Sequence, residues 1–539
     1  MKSSILGAVK PHGIATHSPS SQSLTLLRQR GYSDILQEKY KEPLEVVHRL
    51  DKEVSGVIIF SKSSQTTRFL CLAFAEQKVS KEYLFITEHR VPVSSFVVNM
   101  PLKQVRNNGI KKSIVSSDGA HSETYFSVIS SDGSFSLLRA MPKSGRMHQI
   151  RAHAAAQGIP ILGDTLYGGR AMPRLMLHSE RLSLTLEDGE KYQYTAQPPR
   201  FFTELKLLND HFMVSLLSGL YKRLVIAQPI TFNTTLRVIH FDDIPWMTAD
   251  KLGPVLWVNW YRPTPPTSKE EEQLSSILPD IQCSGIFVNF MENKGMHGVQ
   301  QFPSKIIGNV PEVWNAVENN IDITLSRIRG HSPGIFVDQR GNRSTVRSIA
   351  KGRTVLNLFS YSGLFSISAG LGEAKEVISV DTSKTALAWC NENWTKNNLH
   401  NVPHSTILMD ARSFLERAYR RGNSFDLIIC DPPSFSRGKG TPFSIKRDYQ
   451  LLLKLLFQVT KPKGIILFVT NYAEWEHIQF CSIMTDIAKK YGALKCSFPL
   501  AEPDISLTGV TNFSKSVLFE KDELKPQRKS SAETYQKVR

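Results

Sequence analysis

The segment Val355-Leu-Asn-Leu-Phe-Ser-Tyr-Ser-Gly363 decides the fold of the C-terminal part of the chain. It predicts a buried strand that runs into a turn of small residues and then into a helix. Such a turn after a first strand lets a ligand approach the backbone at a helix N-terminus. From this segment onward, apolar runs alternate with amphipathic runs, which is typical of strand–helix–strand units and predicts a doubly wound α/β domain. The predicted strands are 354–359, 376–380, 405–409, 426–430 and 464–470.

Acidic residues follow three of these predicted strands: Asp381, Asp410 and Asp431. In open α/β sheets the ligand crevice lies outside the carboxyl ends of the strands, and an acidic residue about 20 positions after the glycine turn binds ribose hydroxyls. The run Asp431-Pro-Pro-Ser-Phe435 ends the fourth strand. The set resembles class I S-adenosylmethionine-dependent methyltransferases, and Asp-Pro-Pro-x-Phe resembles those that modify ring nitrogens or carbons of nucleobases.

This resemblance implies S-adenosylmethionine as the cofactor and a role for each matching side chain. The methionine end of the cofactor would be lined by Asn357, Ser360, Tyr361 and Gly363. Asp381 would bind the ribose and Asp410 the adenine amine. Asp338 and Arg340 would close over the cofactor, although a purely structural ion pair is an equal alternative for them. Asp431 would act as the catalytic residue and position the target base together with Pro433 and Phe435.

Three upstream segments, at 241–245, 257–263 and 334–340, resemble the middle domain and lead-in of RlmK/RlmI-type rRNA methyltransferases over residues 233–520. One branch of that group methylates carbon 5 of cytosine and needs a cysteine after the fifth strand. Asn471 stands there instead, on the substrate side, as in the branch that methylates nitrogen 7 of guanine. Because nitrogen 7 carries a free lone pair, alignment with the methyl group suffices. Guanine N7 is therefore the expected target, with cytosine C5 as the alternative.

The N-terminal third is defined by the motif His48-Arg-Leu-Asp51. Short β-rich runs separated by turn residues surround it and predict a region built mostly of strands. A further motif lies upstream at 10–13, and others follow downstream at 79–83, 145–153, 158–168 and 177–178. The ordered set resembles the RluA-type RNA pseudouridine synthases over residues 5–200. The resemblance implies an α+β domain with a mixed antiparallel sheet that needs no cofactor.

Pseudouridine formation gives these motif residues distinct tasks. The base of uridine must leave its sugar, turn over and rejoin through carbon, and a carboxylate can attack and hold one part meanwhile. The resemblance makes Asp51 this nucleophile and Arg151 the cation that keeps it ionised. Tyr83 matches the aromatic residue that stacks on the base. Arg49 matches the residue that fills the space left by the flipped base, since a stacked uridine hides its reactive face.

The composition fits a protein that binds a polyanion. The chain has 539 residues and a net charge of +17, with two basic blocks on either side of a near-neutral middle. Such a field attracts nucleic acid, although a simple solubility role is an equal alternative. The six cysteines form no C-x-x-C pair, and no apolar run is long enough to span a membrane. The sequence thus predicts a cytoplasmic protein with reduced thiols and no metal site, and it leaves the oligomeric state open.

The predicted domain order is a synthase domain, a connector, a small domain and a methyltransferase domain. The bounds are 1–205 for the pseudouridine synthase domain, 206–232 for a helical connector, 233–330 for a small α+β domain, 331–520 for the methyltransferase domain and 521–539 for a disordered tail. The favoured function is a bifunctional enzyme that modifies large-subunit rRNA or a precursor particle. The alternatives are one non-catalytic half that binds RNA and a non-catalytic ribosome-assembly factor.

Overall fold

The structure is a computed structural model that describes residues 2–18, 29–227, 229–291, 303–330, 332–436, 443–511 and 513–523. The chain forms two compact units. Unit 1 comprises Met1–Val310 together with Pro503–Gly509, and unit 2 comprises the remainder. No helix in the described ranges is long and apolar enough to cross a membrane.

Unit 1 begins with a nine-stranded mixed sheet in which the strand order along the main path is β1-β3-β10-β4-β9-β8-β5. Nearly all of its pairs are antiparallel, and β3 and β10 are the parallel exception. The nine strands are β1 (Ile5–Lys10), β2 (Glu45–Val46), β3 (Ser55–Ser61), β4 (Ser80–Thr87), β5 (Ser95–Asn99), β8 (Glu123–Ser131), β9 (Ser136–Pro142), β10 (Leu177–Thr185) and β11 (Lys191–Thr195). A separate two-stranded sheet is formed by β6 (Leu102–Asn107) and β7 (Ile110–Val115). The helices are α1 (Tyr32–Tyr40), α2 (Ser64–Ala75) and α3 (Gln149–Ala156). This sheet confirms the predicted α+β class.

A second sheet of five strands completes unit 1, in the order β12-β13-β14-β15-β16. It follows the long helix α4, whose Leu216, Leu217 and Leu220 are buried in one apolar core shared with strands of both sheets. Because that core is continuous, the connector and the small domain pack as one unit with the synthase domain. The remaining elements of unit 1 are α4 (His211–Ala227), β12 (Thr235–Ile239), β13 (Met247–Leu252), β14 (Val255–Trp260), α5 (Ser268–Ser275), β15 (Gly285–Phe290) and β16 (Lys305–Gly308).

Unit 2 is built on a seven-stranded sheet in the order β21-β20-β19-β22-β25-β27-β26. The first five strands are parallel, and β27 and β26 add antiparallel pairs at one edge. This arrangement confirms the predicted doubly wound domain. The strands are β17 (Val313–Glu318), β18 (Ile321–Ser326), β19 (Thr354–Leu358), β20 (Glu376–Asp381), β21 (His404–Leu408), β22 (Phe425–Cys430), β23 (Phe435–Ser436), β24 (Phe443–Ser444), β25 (Thr460–Thr470), β26 (Ala493–Ser497) and β27 (Lys515–Lys521). The helices are α6 (Arg340–Ile349), α7 (Leu364–Leu371), α8 (Lys384–Lys396), α9 (Ala411–Arg420), α10 (Ile445–Val459) and α11 (His477–Tyr491).

The boundary predicted at residue 330 differs from the division in the structure, which falls between Val310 and Pro311. The hairpin β17–β18 belongs to unit 2 because hydrogen bonds join it to α8. The backbone N–H of Thr324 donates to Asn393 (2.9 Å), and the indole N–H of Trp389 donates to the Thr324 carbonyl (2.7 Å). The small domain therefore contributes strands to both units.

The C-terminal bounds also differ in detail from the prediction. Strand β27 continues to Lys521, one residue into the predicted tail, because it pairs with β25 and β26 up to its end. The rest of the predicted tail, from residue 524 onward, lies outside the described residues. The segment Pro503–Gly509, which lies in the chain between β26 and β27, belongs to unit 1. We call this segment the strap.

Candidate active sites

The first candidate site is centred on Asp51, in the loop between β2 and β3. The Nη1 atom of Arg151 donates to Asp51 Oδ2 over 3.2 Å. Arg151 lies on α3 and is itself fixed from behind, because its Nε and Nη2 atoms donate to both oxygens of Asp164 (2.7 and 2.8 Å). The Asp164 side chain is 1% exposed, whereas that of Asp51 is 28% exposed. The arrangement thus directs one end of a guanidinium toward a solvent-accessible carboxylate.

The charges around Arg151 fix its protonation. Burial opposes its charge, but the hydrogen bonds and charge of Asp164, with the charge of Asp51, raise its pKa. The ring of Tyr167 lies 5.2 Å from its guanidinium carbon. A permanently charged, doubly anchored arginine holds its free N–H groups in a fixed direction.

His148 borders the same carboxylate. Its Nε2 atom lies 3.6 Å from Asp51 Oδ2, and its Nδ1 atom lies 3.1 Å from the Tyr167 hydroxyl. Its backbone is left-handed (φ 53°) at the N-terminus of α3, a conformation that non-glycine residues adopt rarely and that clusters at functional sites. Burial lowers the pKa of His148, against the opposing charge of Asp51. The imidazole is therefore a neutral hydrogen-bonding group near pH 7.

The other predicted residues of this site differ in their surroundings. Tyr83 lies on β4 and is half-buried, and burial together with the charge of Asp51 raises its pKa to about 12, against a hydrogen bond with Ser179. The phenol is therefore protonated at neutral pH. Arg49 is exposed and makes no hydrogen bond or ion pair with any residue that the structure describes. His48, its neighbour in the motif, accepts from the Ile59 N–H and stacks on Phe74.

The second candidate site lies at the carboxyl end of the parallel strands of unit 2. The turn after β19 has three left-handed residues, Phe359 (φ 57°), Tyr361 (φ 47°) and Gly363 (φ 83°). Two of these are not glycine, and such strain persists only where the surroundings enforce it, as at ligand sites. The N–H of Tyr361 donates to Asp381 Oδ2 (2.9 Å), which ties the turn to the end of β20.

The structure gives several predicted cofactor residues internal partners. Asn357 is 1% exposed and donates to Ser366 Oγ (2.8 Å). A Cβ on Gly363 would collide with Cys390 Sγ on α8, so helix packing also demands glycine there. Asp410 accepts from the Ser413 N–H (3.0 Å) and begins α9 as its N-cap. Asp381 Oδ1 accepts from the Ser383 N–H (2.9 Å).

Ser360 provides the test of whether this turn fits a ligand. Its hydroxyl oxygen is buried and has no hydrogen-bond partner among the described residues. Buried polar atoms are nearly always paired, so an unpaired hydroxyl at a strand-end turn fits a missing ligand partner. The strained turn, the unpaired hydroxyl and the acidic strand end at Asp381 together fit a nucleoside cofactor.

Asp431 lies at the end of β22 on the same edge of the sheet. Burial raises its pKa to about 7, with a further contribution from the negative charge of Asp338 that the positive charge of Arg343 opposes. It makes no side-chain hydrogen bond within the described ranges. Asp338 lies in the short helix Val337–Gln339, immediately before Arg340, which begins α6. Asp431 is thus a carboxylate whose charge changes near neutral pH.

The predicted substrate residues lie just beyond Asp431. Pro433 is exposed, and the Phe435 side chain is 45% exposed on the short strand β23. The Ser434 hydroxyl donates to Asn471 Oδ1 over 2.7 Å, which joins the loops after β22 and β25. An exposed aromatic ring beside a fixed amide is a suitable surface for an unstacked base.

Two structural supports escaped prediction. Asp164, which orients Arg151, lies in the motif at 158–168, in which no single residue has a predicted role. Its burial is the signal that only the structure supplies. In unit 2, Arg343 donates to both oxygens of Glu318 (2.6 and 2.7 Å) and to the Phe336 carbonyl, which fixes the segment that carries Asp338.

Comparison with protein families identifies both domains. Residues 5–156 match the RNA pseudouridylate synthase family model, and residues 235–494 match the S-adenosylmethionine-dependent methyltransferase model. The chain therefore carries a pseudouridylate synthase domain followed by a methyltransferase domain, and S-adenosylmethionine is confirmed as the predicted cofactor of the latter.

Individual relatives match parts of the chain. The provisionally named ribosomal RNA large subunit methyltransferase YwbD of Bacillus subtilis is 43% identical over 29% of this chain and 39% of its own length. Ribosomal RNA large subunit methyltransferase I of Tolumonas auensis is 38% identical over 36% of this chain and 50% of its own length. The chain thus spans half or less of the length of these relatives. The solved structure of human RNA pseudouridylate synthase domain containing 4 is 26% identical, covers 37% of this chain and 87% of that chain, and has a TM-score of 0.29.

Proposed function

We propose that this chain is a bifunctional rRNA-modifying enzyme of the cytoplasm. One domain isomerises uridine to pseudouridine through Asp51, and the other transfers a methyl group to guanine N7, both in large-subunit rRNA or a precursor particle. The observation that carries the proposal is the series Asp51–Arg151–Asp164, which holds an accessible carboxylate against a fixed cation. The names of the methyltransferase relatives support large-subunit rRNA as the substrate.

In the proposed synthase reaction the Asp51 carboxylate attacks the sugar carbon as the bond from that carbon to N1 of the base breaks. The freed base rotates, and its carbon 5 bonds to the sugar carbon and displaces the carboxylate. Carbon 5 then loses its proton and N1 gains one, so the product is an isomer of uridine and Asp51 is regenerated. Arg151 pairs with the carboxylate and orients it, and its own position is set by Asp164. Tyr83, protonated and half-buried, offers its ring to the base and its hydroxyl as a proton donor. Arg49 extends into solvent, where it can fill the gap that the flipped uridine leaves in the RNA.

In the proposed methyltransferase site the described residues bind, orient and balance charge. Bound S-adenosylmethionine supplies an electrophilic methyl group. Ser360 and the turn at Tyr361 would hold its methionine part, Asp381 its ribose and Asp410 its adenine, with Asp338 and Arg340 covering it. Phe435 and Pro433 would hold the guanine in plane, with Asn471 at its edge. Methylation at N7 leaves a cationic base, and a deprotonated Asp431 stabilises that charge as it forms.

The cysteines disfavour the alternative reaction at cytosine C5. That reaction needs an accessible thiolate that adds to the base. Cys430, the cysteine next to the proposed site, is 0% exposed, and burial raises its pKa well above the ordinary value. Asn471 occupies the strand end where the thiol would be expected.

Mass spectrometry of large-subunit rRNA tests both activities at once. RNA is compared from cells with the gene, cells without it, and cells complemented with Asp51→Ala or Asp431→Ala. We expect Asp51→Ala to abolish one pseudouridine and Asp431→Ala to abolish one 7-methylguanosine, while each variant keeps the other modification. If Asp431→Ala removes a 5-methylcytidine instead, the methylated atom is cytosine C5 and not guanine N7. If rRNA from cells without the gene keeps both modifications, the protein is a non-catalytic assembly factor. If those cells lose only one modification, the domain without a detected activity is assigned to RNA binding.

A further inference from the structure

The strap, Pro503–Gly509, is far from the synthase motifs in sequence but belongs to unit 1, and four of its seven residues are buried. At its first end Asp504 is 2% exposed. The Asp504 carbonyl accepts from Arg223 Nε (2.8 Å), and its Oδ2 atom accepts from the backbone N–H of Arg237 (3.0 Å). Buried, charge-assisted hydrogen bonds of this kind are among the strong ones, so this end is firmly anchored.

The other end of the strap contacts the segment that precedes the nucleophile. Leu507 is 7% exposed, and its Cδ1 atom lies 3.8 Å from where a Cβ of Gly13 would be. The Thr508 carbonyl accepts from the backbone N–H of Arg30 (3.0 Å), and the Ser506 carbonyl accepts from Arg30 Nη2 (3.3 Å). The strap therefore holds both Gly13 and the start of the segment that leads into α1.

The Leu507 contact and the hydrogen bonds to Arg30 both lead to residues 10–16, which we call the support turn. The strap reaches it directly at Gly13. It also reaches it through α1, because the N–H groups of Tyr32 and Ser33 donate to the carbonyls of Ala15 (2.9 Å) and Thr16 (3.0 Å). The support turn is thus held from both its sides.

The support turn in turn fixes the residues on either side of Asp51. The N–H of Gly13 donates to the Lys52 carbonyl (2.8 Å), and Lys10 Nζ donates to the same oxygen (3.3 Å). The Thr16 hydroxyl donates to the Leu50 carbonyl (3.1 Å) and accepts from the Leu50 N–H (3.2 Å). The backbone on both sides of the nucleophile therefore rests on the support turn.

Lys10 shows how closely this region is packed. It is 0% exposed and donates to three carbonyls, those of Pro11, Ile14 and Lys52. Burial lowers its pKa to about 7, against the charges of Glu53 and Asp51. A fully buried lysine that spans the support turn and the nucleophile loop requires well-ordered surroundings.

We propose that the strap is a positioning segment for the synthase site, which sets the place of Asp51 through Leu507 and the support turn. The proposal rests on the proposed synthase function. A displacement of about 1 Å in a catalytic group can lower a rate by roughly a hundredfold. Leu507 contacts the support turn at Gly13, so its effect on Asp51 passes through the support turn.

The experiment compares full-length Leu507→Ala with the wild type, using large-subunit rRNA from cells that lack the gene. We expect kcat for pseudouridine formation to fall roughly tenfold, with KM for the RNA and the affinity for S-adenosylmethionine unchanged. Leu507→Met, which conserves volume, should restore kcat to within about twofold. Leu494→Ala, at a leucine of β26 that is 57% exposed, is the matched control and should behave as the wild type. If the alanine variant does not fold, Leu507→Val replaces it in the test, and the kcat of this variant should fall about threefold.

Different results separate this inference from the function on which it rests. If Leu507→Ala lowers only the melting temperature, with kcat unchanged below the transition, the strap is merely structural and the inference is wrong. If KM rises and kcat is unchanged, the strap binds RNA instead, and the inference is again wrong. If the wild type forms no pseudouridine, or Asp51→Ala is as active as the wild type, the proposed function itself fails.

Discussion

In the synthase site the key carboxylate, Asp51, faces a cation, whereas in the methyltransferase site Asp431 lies near a second carboxylate, Asp338. Arg151 is locked toward Asp51 by a buried aspartate. Asp431 has no such partner among the described residues, and its pKa is raised to about 7. The difference shows how environment assigns roles to one side-chain type. In the proposed roles, Asp51 is a nucleophile beside a fixed cation, whereas Asp431 balances a developing charge and gains its own charge only near neutral pH.

The largest expected effect comes from replacing Asp51, the proposed nucleophile. Asp51→Asn should lower pseudouridine formation by at least about a thousandfold, because the amide cannot form the covalent intermediate. The measurement is the rate of pseudouridine formation, with methylation followed in the same sample. Glu53→Gln, at an exposed carboxylate two positions away, is the control and should keep full activity. If Asp51→Asn keeps more than about one thousandth of the wild-type rate, another residue is the nucleophile.

The next effect comes from breaking the buried ion pair. Arg151→Met should destabilise unit 1 by about 3–5 kcal/mol, because it leaves Asp164 buried without a cation. Urea unfolding measures this. The double variant Arg151→Met/Asp164→Asn should recover much of the stability and none of the synthase activity. If the double variant is no more stable than the single one, the pair does not act as a unit.

A smaller effect is expected from crowding the cofactor turn. Gly363→Ala combines a left-handed backbone with a collision against Cys390, and it should destabilise unit 2 by about 2–4 kcal/mol and weaken S-adenosylmethionine binding. Gly422→Ala has a similar φ (71°) and no atom within 4 Å of the added Cβ, so it should cost only about 1–2 kcal/mol. Thermal unfolding measures the loss of stability in each variant. Equal losses in the two variants would show that packing against α8 is not what requires glycine at position 363.

The smallest effect is a pH dependence. Because the pKa of Asp431 is higher in the folded chain than its ordinary 3.8, the folded state binds the extra proton. Its contribution to stability is therefore fully present below about pH 4 and is lost as the pH rises through about 7. Asp431→Asn should raise the melting temperature relative to the wild type at pH 8 and not at pH 4. Methylation by the wild type should increase with a midpoint near pH 7. A melting-temperature difference that is constant with pH would contradict this assignment.

Local motifs allowed much of the architecture to be predicted. The strands around Gly363 lie within a few residues of their predicted bounds, because apolar runs bounded by turns define buried parallel strands. The pairing of Asp51 with Arg151, implied by the family resemblance, is present in the structure. The roles of these residues stay predictions.

Other features depend on contacts that no local pattern contains. A lone aspartate such as Asp164 is typical of a turn. Only its burial against Arg151 shows that it fixes the position of that arginine. The division at Val310 follows from hydrogen bonds between β18 and α8. The strap has the composition of an ordinary connection between two strands, and its place in unit 1 is decided by tertiary packing alone.

The place of the strap in the chain has a consequence for biosynthesis. Unit 1 needs residues 503–509, yet these emerge from the ribosome long after Val310. At about 5–20 residues per second, the delay is roughly 10–40 s. During that time the nascent unit lacks the two Asp504 acceptors, one for Arg223 Nε and one for the backbone N–H of Arg237, and it lacks the Leu507 contact with Gly13. All the residues of unit 1 are therefore present only when translation of the chain is almost complete.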